Sequence, residues 1–426
     1  MKQPEIKNTS IPGEDDIFRS EMANGITFLS RKNFNSPSVY ISGYLPAGSL
    51  NDPDDLLGLA KFSALMLTRS TLNRSFQDIH NALESCGASL GFNAGVHTCQ
   101  FSGRCLAEDL PLLLDILSDS LKSPSFDTEQ IEILRSQFLT SLAMRSQDTR
   151  EMAGLTFDQI LFEGHPYGRP EDGYPENIKA ITRQDLVKFH QAGYGPKEMV
   201  LSIVGAVDPE KSYKLVSEIL GDWENKDQFD SPELPPINPL KKSVTKHTRI
   251  EGKFQSDIMV GSIGPKRKDP EYIAASLGNS VLGQFGMMGR IGDVVREKSG
   301  LAYYAYSSLK SGEGPGSWEV SAGVNPANVQ KAIDLIIEEI SRFVSNGVTE
   351  EELSDSQTNF IGRLPISLES NAGVCSALLN MERFNLGLDY YRQYSATIQN
   401  VTTDEVIEAS RKYLVPDRLA ISVAGS

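Results

Sequence analysis

The sequence predicts an α+β protein of two homologous lobes, each an antiparallel sheet packed with helices. The two lobes are predicted by a repeat, because residues 178–205 and 398–425 align at a constant offset of 220. Each copy has a threonine suited to cap a helix, an amphipathic helix, a proline-containing turn and a buried strand that ends on glycine. Strands and helices are grouped rather than regularly alternating, which favours α+β over a doubly wound parallel sheet.

The joint between the lobes is a proline-rich and acidic segment. Four prolines break both helix and strand there: Pro232, Pro235, Pro236 and Pro239. We therefore expect a first lobe at 1–222, a linker at 223–243 and a second lobe at 244–426. A chain of 426 residues is also too long for one compact core.

Within each lobe, we expect a short strand first, then paired helices, further strands and long helices. The first strands are expected at 39–45 and 258–263. The other strands are expected near 89–105 and 302–323. The expected helices are 56–70, 75–85, 108–121 and 128–163 in the first lobe, and 270–283, 289–298, 326–346 and 349–383 in the second.

The overall composition argues against some partners. A formal net charge of −15 disfavours nucleic acid and anionic membranes, because both need a basic footprint. We find no apolar signal region and no run close to the roughly 18 apolar residues of a membrane helix, so we expect a protein of the bacterial cytoplasm. The four cysteines lack metal-ligand spacing, so buried free thiols are expected. A bridge between Cys86 and Cys99 stays open as an alternative.

A largely buried helix is predicted in the segment LLGLAKFSALMLTRST, which begins at Leu56. The side chains of Lys61, Ala64 and Leu65 are spaced i, i+3 and i+4, so they converge on one face. The surrounding sequence resembles the zinc helix of the inverted-motif metallopeptidases, the family of pitrilysin, insulysin and the mitochondrial processing peptidase. That resemblance rests on the apolar spacing and on Gly58, Leu59, Ala60, Met66, Leu67 and Thr71.

In that family, an H-x-x-E-H motif supplies two histidine ligands and a glutamate general base. Here these three positions are occupied by Lys61, Ala64 and Leu65, and none of them can ligate zinc at neutral pH. The family's third ligand, a glutamate of the following long helix, falls at Ser141 or Leu142. The resemblance therefore implies a chain that has lost its metal, holds no cofactor and is inactive on its own.

The resemblance extends over nearly the whole chain, including the segment HPYGRPEDGYPENIKAITRQDL from His165 and the segment IVGAVDPE from Ile203. It implies that each half is one α+β lobe. It also implies that the chain forms half of a clamshell, which closes with a second such chain around a peptide chamber.

The segment VVREKSGLAYYAYSS, which begins at Val294, carries the candidate catalytic pair. Arg296 is followed by Tyr303 seven residues later, at the expected start of a strand. In the family, an arginine and a tyrosine at this spacing belong to the half without zinc and hold substrate near the opposing metal. A guanidinium and a phenol can both donate to a scissile carbonyl or its oxyanion. The alternative is a surface arginine in a helical ion pair and a tyrosine packed on the core.

Two further segments are candidate substrate-binding elements by resemblance. Asn93 and Ala94 lie at the centre of a predicted exposed strand, which the family uses to bind an extended peptide by strand addition. An ordinary sheet edge is the alternative. Gly283 and Gly286 lie in a glycine-rich connection that helps to admit substrate in related proteins. No Gly-Lys-Ser/Thr follows it, so a nucleotide site is not supported.

A second candidate metal site lies outside the zinc-helix segment. His80 and Glu84 are spaced i, i+4 on a predicted helix, and His97 lies further on, so the three side chains could be ligands. Such pairs more often form a solvated helix face.

The leading hypothesis is a metal-free subunit of a heterodimeric zinc metallopeptidase. Its partner would be a homologous chain with the intact zinc motif, and its substrate would be an extended peptide. One alternative is a non-proteolytic structural or peptide-binding protein of the same fold that forms a homodimer. The other is an enzyme with a relocated metal site.

Overall fold

The computed structural model describes residues 11–284 and 289–426, and its strands form two sheets. The first sheet has the order β1-β2-β6-β3-β5-β4, with these bounds: β1 (Phe18–Glu21), β2 (Thr27–Lys32), β3 (Ser38–Leu45), β4 (Ser89–Ala94), β5 (Cys99–Leu106) and β6 (Val200–Gly205). The second has the order β7-β11-β8-β10-β9, with these bounds: β7 (Val244–Arg249), β8 (Ser256–Ile263), β9 (Ala302–Leu309), β10 (Ser317–Val324) and β11 (Ala420–Gly425).

Helices pack on both faces of each sheet. Those of the first repeat are α1 (Leu59–Met66), α2 (Phe76–Ser85), α3 (Leu110–Lys122), α4 (Thr128–Arg145), α5 (Thr149–Leu161), α6 (Pro175–Ala180), α7 (Arg183–Gly193) and α8 (Pro209–Leu220). Those of the second are α9 (Tyr272–Gly283), α10 (Gly289–Ile291), a π-helix (Gly292–Lys298), α11 (Val329–Asn346), α12 (Glu350–Ser367), α13 (Asn371–Arg383), α14 (Tyr390–Gln399) and α15 (Thr403–Tyr413).

The two sheets have the same topology once β1 is set aside. In each, one pair of strands is parallel, β2 with β6 and β7 with β11, and the remaining pairs are antiparallel. The repeat also holds at the level of single residues. Thr182 accepts a hydrogen bond from the Asp185 N–H at 3.3 Å, and Thr402 accepts one from the Glu405 N–H at 3.2 Å. The predicted α+β class with two homologous lobes is confirmed.

The chain divides into two compact units, and each unit draws on both repeats. The first unit contains the described residues up to Leu142, together with Pro170–Leu234 and Pro365–Arg392. The second contains the described residues of Ala143–Arg169, Pro235–Leu364 and Gln393–Ser426. The predicted lobe boundaries, 1–222 and 244–426, follow the repeat in the sequence and stay a prediction.

Two helices account for this exchange of segments. Helix α5 packs on β7, β8 and β11 of the second sheet, and α13 packs on β2, β3 and β6 of the first. Both contacts are apolar. On the second sheet, Phe157 and Ile160 pack with Met259, while on the first sheet Val374 and Leu378 pack with other buried side chains.

The prediction of unbroken helices at 128–163 and 349–383 is wrong. The first divides into α4 and α5, because the Asp148 side chain accepts a hydrogen bond from the Glu151 N–H at 2.9 Å and starts a new helix. The second divides in the same way at Ser370, which accepts from the Gly373 N–H at 3.0 Å. Each predicted long helix is therefore two helices, and the boundary between the units falls within the first helix of each pair, after Leu142 in α4 and after Leu364 in α12.

The prediction that each lobe begins at 39–45 or 258–263 is also wrong. Strands β1 and β2 precede β3, and β7 precedes β8. Strand β7 has the sequence VTKHTR, with little apolar alternation, and its partner β11 lies far along the chain. The sequence of such a strand does not by itself predict a strand, because its pairing with a distant strand stabilises it.

The four cysteines are free, as predicted, and Cys99, Cys105 and Cys375 are buried while Cys86 is half-buried. Burial raises the pKa of the Cys99, Cys105 and Cys375 thiols to about 12 in each case. Across residues 11–284 and 289–426, no helix is both long and apolar enough to cross a membrane.

Candidate functional site

Helix α1 begins at a fixed point in the first unit. The Asp52 carboxylate accepts hydrogen bonds from the N–H groups of Gly58 and Ala60, each at 2.8 Å. Gly58 has a φ of +94°, and a Cβ there would lie 2.9 Å from the carbonyl oxygen of Asp172. Glycine therefore lets the start of α1 approach the segment that contains Asp172.

The three positions that the family resemblance aligns with the zinc motif are occupied by an ion pair and apolar packing. Lys61 donates a hydrogen bond to the Asp172 carboxylate, Ala64 is fully buried and Leu65 packs partly buried against the core. On the neighbouring helix α4, Ser141 is exposed. None of the side chains at these positions supplies a metal ligand at neutral pH, so they do not fit a zinc ion.

Aromatic packing holds α1 against α4. The Phe62 and Phe138 rings stack with centroids 5.7 Å apart, and the Arg135 guanidinium lies 5.6 Å from the Phe62 centroid. Next to Asp172, burial raises the pKa of the Glu171 carboxyl even though the Lys61 charge acts to lower it. Asp172 could not be predicted as the partner of Lys61, because 111 residues separate them.

The alternative of a relocated metal site is not supported in the part of the chain that the structure describes. There, no group of three or more histidine, cysteine, aspartate or glutamate side chains could hold a metal ion. His80 packs instead on Phe76, with ring centroids 4.2 Å apart.

The last turn of the π-helix carries Arg296 in the second unit. Gly300, with a φ of +62°, ends the helix by donating its N–H to the Arg296 carbonyl at 2.9 Å. The Arg296 side chain is 37% exposed, and its Nε lies 3.7 Å from the Glu297 carboxylate. That distance is too long for a hydrogen bond, so this contact does not use the guanidinium donors.

Tyr303 lies in an irregularity of strand β9, the edge strand of the second sheet. Ala302 pairs with Val324 and Tyr304 pairs with Gly323, so Tyr303 is the extra residue of a β-bulge. Its side chain is 68% exposed. The alternative in which Tyr303 packs on the core is therefore wrong.

Strand β4 is the edge strand of the first sheet, and Asn93 and Ala94 lie at its end rather than at the centre of one strand over 89–103. The Gly95 N–H donates to the Thr98 carbonyl at 3.0 Å. From this bond, antiparallel alternation directs the backbone N–H and C=O groups of Leu90, Phe92 and Ala94 towards the free edge. The Asn93 side chain is exposed, whereas its backbone faces β5.

Of the two candidate glycines, Gly283 lies within the described residues. Gly283 ends helix α9 and is buried against β9, where a Cβ would lie 2.2 Å from the Ser307 nitrogen. A larger residue would push α9 away from β9. Gly286 lies outside the described residues.

Comparisons with known proteins agree along most of the chain. The family model described as insulinase (peptidase family M16) matches residues 27–170, and the model described as peptidase M16 inactive domain matches residues 180–360. An uncharacterized zinc protease of Mycobacterium leprae is 27% identical over 96% of this chain and 92% of its own. Mitochondrial-processing peptidase subunit beta of Saccharomyces cerevisiae is 24% identical over 96% of this chain and 88% of its own.

Solved structures have the same fold. The peptidase M16 inactive domain from Pseudomonas fluorescens superposes with a TM-score of 0.90 at 24% identity, covering 96% of this chain and 98% of that one. A protease from Helicobacter pylori superposes with a TM-score of 0.88 at 18% identity, covering 97% and 100%. The fold and the two matching models define a metallopeptidase-like protein, and the chain belongs to peptidase family M16.

Proposed function

We propose that this chain is the non-catalytic subunit of a heterodimeric zinc peptidase. It would close the peptide chamber with a homologous partner that carries the intact zinc motif. The observation that carries this proposal is the contrast between the two units. The metal positions of the first unit have no ligands, while the second unit carries a half-buried arginine and, in a β-bulge, an exposed tyrosine.

The chemistry of Arg296 and Tyr303 suits an auxiliary role in amide hydrolysis. A carbonyl oxygen gains negative charge when a nucleophile attacks its carbon, and donors aimed at that oxygen stabilise the transition state. The Arg296 guanidinium and the Tyr303 phenol are both such donors. The partner's zinc would activate the attacking water, and this chain would hold the substrate and its developing charge.

Substrate binding is proposed at the free edge of β4. An extended peptide would pair with the outward backbone groups of Leu90, Phe92 and Ala94, and the exposed Asn93 side chain would contact it. Backbone pairing needs no metal, so this role can persist after the ligands are lost. The glycine-rich connection at Gly283 and Gly286 would help to admit the peptide.

Affinity purification of the chain from its native cells, followed by mass spectrometry, tests the proposal. We expect a chain of similar length with an H-x-x-E-H motif, recovered at about one to one. The pair should hydrolyse unfolded peptides, and the isolated chain should not. Recovery of the chain alone as a homodimer, with no peptidase activity, would contradict the proposal and favour a structural or peptide-binding protein.

A further inference from the structure

Tyr304, the residue after the bulge, is tied to a buried carboxylate in the second unit. Its phenol donates a hydrogen bond to Asp257 of β8, which is only 1% exposed. Gln255 donates to both oxygens of the same carboxylate, at 3.2 and 3.1 Å, and the Thr149 hydroxyl of α5 also donates to it. Asp257 thus joins three segments that are distant in sequence.

Arg150 holds the same strand from α5. Its guanidinium lies 5.4 Å from the Tyr304 ring centroid and 5.5 Å from that of Tyr306, and it donates a hydrogen bond to the Tyr306 hydroxyl. The two rings lie 5.8 Å apart. Arg150 of α5 therefore fixes the side chains of Tyr304 and Tyr306, while pairing with β10 holds the backbone of β9.

Glycine at position 323 makes room for this arrangement. A Cβ at Gly323 would lie 2.6 Å from the Tyr304 ring and 2.7 Å from the Gln255 amide nitrogen. Burial raises the pKa of the Tyr304 phenol above its usual value, and the Asp257 charge adds to this effect. The phenol therefore stays protonated and keeps donating at neutral pH.

These contacts act on the neighbour of Tyr303. The direction of a bulge residue depends on its two flanking pairs, since the bulge itself lacks a ladder partner. One flank, Tyr304 with Gly323, is fixed by the hydrogen bond to Asp257 and by Arg150. We propose that Tyr304, through Asp257, is a positioning residue that holds the bulge so that Tyr303 projects away from the sheet.

The consequence for catalysis rests on the proposed function, whereas the effect on the orientation of Tyr303 does not. The test therefore has two readouts in the full-length chain. The first is the 19F spectrum of 3-fluorotyrosine placed at position 303 alone. The second is the turnover of the complex with the zinc-binding partner.

Tyr304→Phe removes the hydroxyl and keeps the ring. We expect it to shift or broaden the 19F resonance of position 303 and to lower kcat about tenfold with little change in KM. Tyr413→Phe is the matched control, because it removes another phenol in this unit that lies 3.3 Å from Asp269. The control should leave both readouts unchanged.

Gly323→Ala is a second route to the same displacement, and it serves if Tyr304→Phe does not fold. It should shift the 19F resonance in the same way. In a Tyr303→Phe background, Tyr304→Phe should lower kcat no further, because it acts through Tyr303.

An unchanged 19F resonance in both folded variants would overturn the inference. So would a loss of kcat in Tyr304→Phe that persists undiminished without the Tyr303 hydroxyl. If Tyr303→Phe itself leaves turnover unchanged, the proposed function fails, and the 19F spectrum still decides the positioning role.

Discussion

Corresponding rows of paired residues in the two sheets carry different side chains. In the first sheet, successive partners across β6, β3, β5 and β4 are Val204, Tyr40, Arg104 and Ser89. In the second, the row across β11, β8, β10 and β9 is Ala424, Asp257, Gly323 and Tyr304. Ser89 and Arg104 are exposed, whereas the corresponding Tyr304 and Gly323 belong to the network around the buried Asp257.

The comparison shows that a duplicated fold can keep its strand order while the side chains along it differ. In the first unit, the positions that the family resemblance aligns with the zinc motif hold the ion pair of Lys61 with Asp172 and the buried Ala64. The bulge in β9 has no counterpart in the corresponding pair of the first sheet, because β4 and β5 pair without a register shift. Strand order is thus conserved between the repeats while the sites at the edge strands differ.

Replacement of Arg296 or Tyr303 is expected to have the largest effect on turnover, and it tests whether the two units differ in function. Arg296→Ala or Tyr303→Phe should each lower kcat of the assembled peptidase by about 10²-fold or more, because a donor to the oxyanion is lost. Steady-state kinetics with a fluorogenic peptide would measure it.

A matched control for the arginine is Arg249→Ala, since that side chain is 81% exposed on β7, at the opposite edge of the same sheet. The control should keep normal turnover. Wild-type turnover in both Arg296→Ala and Tyr303→Phe would remove the functional distinction between the units.

Acid should destabilise α7 of the first unit more than its counterpart α15. The His190 imidazole is largely buried in α7, where its Nε2 is hydrogen-bonded to the Leu121 carbonyl at 2.8 Å. Burial lowers the pKa of His190 to about 4, so the ring is neutral at pH 7. At the offset of 220, the second repeat has Ser410, which does not titrate in this range.

The sign follows from linkage. A depressed folded pKa gives stability that is complete above the ordinary pKa of 6.5 and is lost as the pH falls towards 4. Allowing for partial exposure, we expect a loss on the order of 2 kcal/mol. Hydrogen exchange in α7 and α15 at pH 7 and pH 4.5, corrected for intrinsic rates, would measure it. His190→Gln should remove the difference, and an equal response in both helices would contradict the prediction.

Peptide binding at β4 should depend on alternate backbone amides of the substrate. An edge strand pairs with every second residue of an added strand, so N-methylation should weaken binding at alternate positions only. Each sensitive amide should cost about 1 kcal/mol, or roughly fivefold in Kd. Fluorescence anisotropy with an N-methyl series would measure the pattern. A series without a two-residue period would argue for recognition through side chains.

The smallest effect is expected at Lys61, one of the positions that the family resemblance aligns with the zinc motif. Lys61→Met breaks the ion pair with Asp172, and both side chains are partly exposed, at 26% and 34%. The free energy of unfolding should change by less than about 1 kcal/mol, and turnover of the complex should not change. Urea denaturation would measure the first, with Asp172→Asn as the matched variant. A large loss of turnover would mean that the first unit still takes part in the chemistry.

The sequence predicted those features that local patterns encode. Thr182 and Thr402 cap helices α7 and α15, as predicted. The strand that follows each helix ends on glycine, also as predicted. The family resemblance implies that Tyr303 holds substrate, but it does not predict the β-bulge in which the exposed Tyr303 lies. A bulge depends on the register of β9 against β10, which the sequence of β9 alone does not specify.

The exchange of α5 and α13 between units could not be predicted from their sequences. An apolar helix face fits either sheet, and only the complete packing selects one. For the same reason, the contacts of Thr149 and Arg150 with β8 and β9 were missed, since they depend on where α5 packs. The ion pair between Lys61 and Asp172 likewise needed the tertiary structure.

Titration of the zinc-binding partner with this chain tests the central claim most directly. Peptidase activity should rise from near zero and reach a plateau at one chain per zinc, with the Arg296→Ala, Tyr303→Phe double variant binding equally well but giving a plateau at least about 10²-fold lower. Full activity of the partner alone, or an equal plateau with the double variant, would contradict the account.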